Sequence, residues 1–165
     1  MDLAVELFRH NTMMNRRLVD ACCPLTAEQL TGTATGVYGS IGRTLVHIAN
    51  SQVGYATRFL DRVDDRPEQL TEEPFPGFDA LAARFAYGDA LLEEAAPLAA
   101  QDTVIEWTDN DGSWRMPVSL FLLQAINHGT EHRSQVATML TLLGIEPPVM
   151  DGWAYFEDSG QIVAL

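Results

Sequence analysis

The stretch that decides the fold lies near the end of the chain, where residues 117–144 read PVSLFLLQAINHGTEHRSQVATMLTLLG. Pro117 suits the first turn of a helix, and Gly144 suits the position just after its last residue, Leu143. Apolar residues recur between them every three or four positions, which is the spacing of one buried helix face. Besides two histidines, the face expected to point into the core carries Phe121, Gln124, Gln135, Met139 and Leu142.

Three further segments show the same spacing. We expect a first helix over about residues 2–21, a second from the N-cap Ser40 to about Asp61, and a third from about Asp79 to Ala100. Pro97 is a candidate residue at which the third helix ends earlier than Ala100. The positions expected to face inward are Leu3, Leu7, Met14 and Ala21, then Ile41, Leu45, Ile48, Tyr55 and Phe59, then Leu81, Phe85, Leu92 and Ala95 or Ala96. Four such helices in 165 residues favour a single all-α bundle domain.

The connections between these helices are unequal. Asp64–Pro67 and Pro74–Gly77 bracket a long irregular connection between the second and third helices, which suits a crossover better than a tight turn. Thr103–Trp107 and Ser113–Met116 flank an Asp-Gly turn and predict a small β-hairpin before the fourth helix. The aromatic residues 153–156 are expected to pack back on the bundle.

The composition argues against several classes of function. The net charge is −13 and the pI is about 4.4, and no stripe of basic residues reverses this locally, so we expect neither a nucleic acid nor a membrane as a partner. No apolar run approaches the roughly 20 residues that span a bilayer, and no basic segment precedes an apolar stretch at the start, so a cytoplasmic location is expected. Cys22 and Cys23 are adjacent, which fits neither a disulfide framework nor a zinc clasp.

Two histidines of the fourth helix point to a metal. His128 and His132 are four residues apart, so they lie about 40° from each other on one helix face. Two imidazoles one turn apart commonly supply two ligands to one ion. The alternative, a pair of core histidines with satisfied ring nitrogens, is about equally supported by this weak motif alone.

His47 on the second helix shifts the balance toward a metal. Its helix face carries small and polar residues, which leave space for a cavity, and these are Thr44, Ser51, Gly54 and Arg58. Three histidines from two helices predict a His₃ site for one divalent transition-metal ion, with a coordination position open to water or substrate. Imidazole suits zinc, nickel, iron and manganese, so the ligand types do not choose among them.

Four other residues are candidates for contact with a small-molecule substrate. Arg58 is placed to receive a substrate carboxylate, unless it faces solvent, and Ser51 shares its helix face. Gln135 is placed to hydrogen-bond a ligand histidine or bound water, unless it is simply a polar residue near the bundle end. His10 falls between Leu7 and Met14, where it is either a core histidine or a residue that lines the pocket.

Two blocks of sequence carry a resemblance to a known family. They are SIGRTLVHIA at residues 40–49, which contains His47, and NHGTEHRSQ at residues 127–135, which contains the other two histidines. Supporting residues are Asn15–Leu18, Leu140, Gly144, Pro147, Pro148 and Asp151. On these residues, which extend over nearly the whole chain, the protein resembles the DinB/YfiT-like superfamily.

The resemblance implies an up-down-down-up four-helix bundle, a three-histidine site that often holds nickel or zinc, and a homodimer. The ligand roles carry over to His47, His128 and His132 only. Ser134 stands where the family commonly has glycine, but this position points away from the histidine face.

Some relatives are thiol-dependent transferases or isomerases, so the first hypothesis is a metal-dependent thiol S-transferase that joins a low-molecular-weight thiol to a small electrophile. The alternatives are a metal-dependent hydrolase and a protein that binds a metal or small molecule without turnover. Hydrolysis would need a general base, and Glu131 is poorly directed for that role because it lies about 60° from the His128 direction.

Overall fold

The computed structural model describes residues 2–100, 103–109 and 111–160, and these residues are mostly helical. The helices are α1 (Leu3–Cys22), α2 (Ala27–Thr31), α3 (Ile41–Phe59), α4 (Phe78–Ala95), α5 (Val118–Leu142) and α6 (Gly152–Asp158). The strands β1 (Val104–Asp109) and β2 (Gly112–Pro117) form an antiparallel hairpin, as predicted. The four long helices are therefore α1, α3, α4 and α5, and they correspond to the four helices expected from the periodicity.

The helix ends follow from local chemistry. The Ser40 hydroxyl accepts a hydrogen bond from the backbone N–H of Arg43, which confirms Ser40 as the N-cap of α3. The α-helical part of α4 ends at Ala95, and residues 96–100 form a 3₁₀ turn around Pro97, which has no N–H to continue the helix. Pro117 is the N-cap residue of α5 and the last residue of β2, so its predicted place in the first helical turn was wrong by one position.

Contacts between the long helices fix their directions. α1 runs antiparallel to α4, α4 runs parallel to α3, and α3 runs antiparallel to α5, which is the up-down-down-up order. The contacts that set these directions join Arg9 to Glu93 and Asn15 to Asp89, then Gln52 to Gly88 and Arg62 to Glu94, then His47 to His128 and Phe59 to Phe121. Because the consecutive helices α3 and α4 are parallel, residues 60–77 have to travel the length of the bundle between them.

The buried face of α1 differs from the prediction. Leu3 is 74% exposed and Leu7 is 41% exposed, whereas Asn11 and Asn15 are buried. The reason is a hydrogen-bonding partner rather than hydrophobicity, because the guanidinium of Arg133 donates to the side-chain oxygens of both asparagines. The inward positions predicted for α3 and α4 are buried, except Tyr55, which is half-buried.

The buried face of α5 is also rotated from the prediction. Gln124 and Leu142 are exposed, and the buried stripe runs through Leu122, Ala125, Gly129 and Val136. The predicted face was centred on the histidines, which actually lie at the border of the stripe beside α3. The ligand candidates therefore lie at an edge of the core, where a cavity has room to form.

The hairpin and the C-terminal helix pack on different helices of the bundle. Trp107 of β1 pairs with Trp114 of β2, and its ring lies 5.8 Å from the ring of Phe121 on α5. The Tyr155 hydroxyl donates to Glu6 of α1, so α6 packs back as expected, although Trp153 is 71% exposed. None of the helices in the described part of the chain has the length and apolar character needed to span a bilayer.

Candidate metal centre

The bundle brings the three predicted ligand histidines together. One ring nitrogen from each of His47, His128 and His132 can be chosen so that all three atoms lie within 4.8 Å of one another. The Nε2 atoms of His47 and His128 are 3.1 Å apart, and the rings of His128 and His132 lie 4.5 Å apart between centroids. Because α3 and α5 are antiparallel neighbours, the middle of one helix faces the middle of the other, and residues 81 positions apart in sequence meet there.

A carboxylate orients the first of these rings. Glu72 Oε1 lies 3.2 Å from His47 Nδ1, and since a carboxylate only accepts, Nδ1 carries the proton and Nε2 keeps a free lone pair. Arg43 donates to Glu72 over 3.0 Å, and the Tyr38 hydroxyl donates over 3.2 Å. Partial burial acts to raise the pKa of Glu72, but these three hydrogen bonds outweigh it and hold the pKa below its usual value. Glu72 is thus a fixed anion behind His47.

A side-chain amide orients a second ring. Gln135 Oε1 lies 2.9 Å from His132 Nδ1 and also accepts the backbone N–H of Tyr38 over 3.1 Å. The donation from Tyr38 identifies the atom as the amide oxygen, so His132 Nδ1 must be the donor and its Nε2 is left with a lone pair. The structure therefore contains a hydrogen bond between Gln135 and one of the three histidines predicted as ligands.

Burial keeps two of the rings neutral. Burial, with smaller contributions from the nearby His132 and His47, lowers the pKa of His128 to about 4. Burial also lowers the pKa of His47, and the hydrogen bond with Glu72 opposes that shift only in part. A neutral imidazole is the form that ligates a metal, so these two side chains stay competent as ligands at neutral pH.

The donor set fits a divalent transition-metal ion. Two ligand nitrogens around a tetrahedral ion lie about 3.3 Å apart when each metal–nitrogen distance is about 2.0–2.1 Å. The 3.1 Å between the Nε2 atoms of His47 and His128 is close to that value. Ligand histidines also typically donate their second ring nitrogen to a carboxylate or carbonyl oxygen, which is what His47 and His132 do here.

An open cavity of about 420 Å³ adjoins His47 on the α3 side. Its wall includes two of the residues predicted for substrate contact, Ser51 and Arg58, together with Tyr38, Asn50, Gly54, Tyr55, Arg66, Gln69 and Glu72. Tyr38 stacks on the ring of His47 at 4.0 Å between centroids. A cavity of this size holds a small organic molecule next to the cluster.

The fourth histidine lies elsewhere. His10 Nε2 is 3.2 Å from the carbonyl oxygen of Met150, and its ring meets the ring of Tyr155 edge-on. His10 is absent from the residues that line the cavity beside His47, so the structure does not bring it to the cluster. A cavity of about 540 Å³ between α1 and α4 also contains no histidine or cysteine in its wall.

Sequence reasoning missed the residues that surround the histidines. Glu72 lies in the connection between α3 and α4, and Tyr38 lies in the loop before α3, where no periodicity marks which side chains turn inward. Arg66, which also lines the cavity, comes from the same connection as Glu72. Cys22 is buried in the core and Cys23 is exposed, and neither is near the cluster.

Three comparisons with known proteins agree with this architecture. A family model described as DinB family matches residues 1–161. Protein DinB of Bacillus subtilis (strain 168) is 23% identical over 151 residues, which cover 87% of each chain. The crystal structure of a DinB-like protein from Bacillus cereus ATCC 10987 superposes with a TM-score of 0.62 and 23% identity, over 86% of this chain and 91% of that one. This structural likeness supports the fold.

Proposed function

Because the chain belongs to the DinB family, we propose that His47, His128 and His132 bind one divalent transition-metal ion and that the protein is a metal-dependent enzyme. The observation that carries the proposal is the convergence of three imidazoles from two helices at the edge of a cavity. Two of these rings have their other nitrogen engaged by Glu72 and Gln135. Three protein ligands leave a coordination position open, which is the pattern of catalytic rather than structural sites.

The reaction we propose is transfer of a small thiol to an electrophile. A coordinated divalent cation would supply Lewis acidity that lowers the pKa of a thiol. The thiol sulfur then attacks an electrophilic carbon, the bond from that carbon to its leaving group breaks, the leaving group departs with the electron pair, and the thiol proton passes to solvent. The residues of the chain hold the reactants together, with His47 of the histidine cluster in the wall of the cavity beside Ser51 and Arg58.

Hydrolysis is the weaker alternative because the site offers no suitable general base. Glu72 already accepts hydrogen bonds from three side chains, and its pKa lies below the usual value, so it is a poor proton acceptor. Glu131 is exposed to solvent. A thiol whose pKa is lowered by the ion needs no such base, which favours thiol transfer over water attack.

The metal is tested by elemental analysis of protein purified without an affinity tag. We expect about one divalent ion per chain, zinc or nickel, with iron or manganese as alternatives. Absence of any ion after supplementation with each of these metals would overturn the site.

Turnover is tested separately with 1-chloro-2,4-dinitrobenzene and a small thiol such as cysteine or glutathione, by following the absorbance of the thioether. We expect consumption of thiol that depends on the metal and is lost in His128→Gln. Metal binding without thiol consumption would leave a binding protein or a hydrolase and would overturn the transferase assignment.

A further inference from the structure

The ion pairs of the arginines show which positive charges have no carboxylate partner. The chain has 10 basic residues, all arginines, against 23 aspartates and glutamates. Six arginines have a carboxylate oxygen within 4.0 Å, and these are Arg9, Arg16, Arg17, Arg43, Arg62 and Arg115. In a chain with more than twice as many acids as bases, an accessible arginine without such a partner is unusual.

Two of the other four arginines are buried inside the fold. Arg133 donates to Asn11 and Asn15, and Arg84 donates to the backbone carbonyls of Pro67 and Glu68. Arg58 and Arg66 remain, and both are half-buried. Neither has an ion pair with any carboxylate in residues 2–98, 103–108 and 111–160, and both line the cavity beside His47.

The cavity wall therefore carries uncompensated positive charge. Glu72 is the one carboxylate among its lining residues, and its oxygens are held by Arg43, Tyr38 and His47. Arg58 and Arg66 do not take part in these contacts with Glu72. Inside a partly enclosed cavity, two guanidinium groups attract an anion more strongly than they would on an open surface.

The geometry leaves the guanidinium donors free to bind. Arg58 lies over the ring of Trp107, with 5.7 Å between its guanidinium carbon and the ring centroid. A cation–π contact of this kind is not a hydrogen bond, so it leaves the N–H groups of the guanidinium available as donors. Gly54 lies beside Arg66, since a Cβ built at that position would be 4.0 Å from Nη1 of Arg66, an ordinary contact distance.

We propose that Arg58 and Arg66 bind the carboxylate of a small organic acid whose other end reaches the histidine cluster. The two-oxygen plane of a carboxylate matches the in-plane donors of guanidinium groups. A phosphate group is less well matched, because phosphate sites commonly use a helix N-terminus, and the α3 residues here, 47–58, belong to the middle and C-terminal part of that helix. The link to the histidines rests on the proposed function, but the carboxylate site does not.

The test uses two thiols of similar size on the protein substituted with Co²⁺. 3-Mercaptopropionate carries a carboxylate, and 3-mercapto-1-propanol carries a neutral hydroxyl in its place. We expect the thiolate-to-cobalt absorption to saturate at a concentration about tenfold or more lower for the acid, since hydrogen bonds to charged groups are worth more than that factor requires. Arg58→Gln combined with Arg66→Gln should remove the preference and leave binding of the alcohol unchanged.

A matched control removes two arginines elsewhere. Arg16→Gln combined with Arg115→Gln deletes the same number of charges from exposed positions, and this variant should retain the full preference for the acid. Equal binding of the two thiols by the unmodified protein would overturn the carboxylate site while leaving the metal and thiol functions intact.

Failure of both thiols to bind would instead overturn the proposed function. The arginines are then tested on the metal-free protein, by nuclear magnetic resonance titration with succinate and with its neutral diamide, succinamide. Shifts caused by succinate alone, and lost in the double variant, would support the carboxylate site. Identical responses to the two compounds would overturn it.

Discussion

His132 and Arg133 are neighbours on α5, yet they belong to two polar clusters of opposite character. Arg133 is 3% exposed and donates to the side-chain oxygens of Asn11 and Asn15. Both asparagines in turn donate to Gln52 on α3. Burial lowers the pKa of Arg133 to about 10, with Asp89 opposing the shift, so the guanidinium stays charged at neutral pH. This cluster joins all four long helices and has its donors matched to acceptors.

The histidine cluster one residue away is held by hydrogen bonds at its Nδ1 atoms. Glu72 and Gln135 engage the Nδ1 atoms of His47 and His132, while the Nε2 atoms of His47 and His128 lie 3.1 Å apart beside the cavity that His47 lines. Buried polar groups normally find partners within the fold. The Arg133 cluster therefore holds the helices together, whereas the histidine cluster, on the function proposed above, binds a partner from outside the chain.

Removal of two ligands should have the largest effect. His128→Ala combined with His132→Ala should abolish metal binding, because a single remaining imidazole cannot hold an ion tightly. Elemental analysis and competition with a chromogenic chelator would measure this. His10→Ala, which removes a histidine outside the cluster, should keep about one ion per chain, and retention of metal by the double variant would break the proposed contrast between the clusters.

Arg133→Met should mainly affect stability. It leaves the buried side-chain oxygens of Asn11 and Asn15 without their charged donor, and each such loss costs roughly 1–3 kcal/mol, so we expect the free energy of unfolding to fall by about 2–6 kcal/mol. Urea unfolding of the metal-free protein measures it. The folded variant should still bind one ion at low temperature. Loss of metal without loss of stability would contradict the assignment of stability to the Arg133 cluster and of metal binding to the histidine cluster.

Glu72→Gln should weaken metal binding without abolishing it. Partners of ligand histidines typically contribute 10–100-fold to affinity, and the amide would replace a fixed anion behind His47 with a neutral group, so we expect a loss within about that range. Glu73→Gln is the matched control, since its side chain is the exposed neighbour. If both variants bound metal like the unmodified protein, Glu72 would have no orienting role.

The smallest effect concerns pH. The pKa of His128 is about 4 in the folded protein against an ordinary value of 6.5, so between these values the unfolded chain binds a proton that the folded chain does not. The stability of the metal-free protein should therefore fall as the pH drops from about 6.5 toward 4. His128→Gln should make this dependence shallower in urea unfolding at several pH values, and parallel curves for the two proteins would contradict the assignment.

Much of the fold was predictable because its signals are local. The spacing of apolar residues marks α3 and α4, Ser40 and Pro97 mark helix boundaries, and the Asp-Gly turn marks the hairpin. The buried face of α1 was not predictable in this way. Asn11 and Asn15 belong in the core only because Arg133, far away in sequence, meets them there, and hydrophobic periodicity contains no information about such a partner.

The residues of the candidate site also differ in whether local sequence signals could predict them. The four-residue spacing of His128 and His132 and the small residues around His47 are properties of regular helices, so the three ligand candidates could be found from sequence. Glu72 and Arg66 could not, because they lie in an irregular segment whose backbone path depends on the finished bundle.

That segment, residues 60–77, has a consequence for engineering. Hydrogen bonds anchor the segment to the bundle. The Asn50 side chain forms two with the backbone of Leu70, and the Arg84 guanidinium donates to the carbonyl oxygens of Pro67 and Glu68. The three histidines proposed as metal ligands lie outside it, on α3 and α5. The cavity-lining positions of this segment can therefore be varied in a library while Glu72 and the residues that anchor the segment are kept. Such a library can be screened for new substrates without changing the proposed metal ligands.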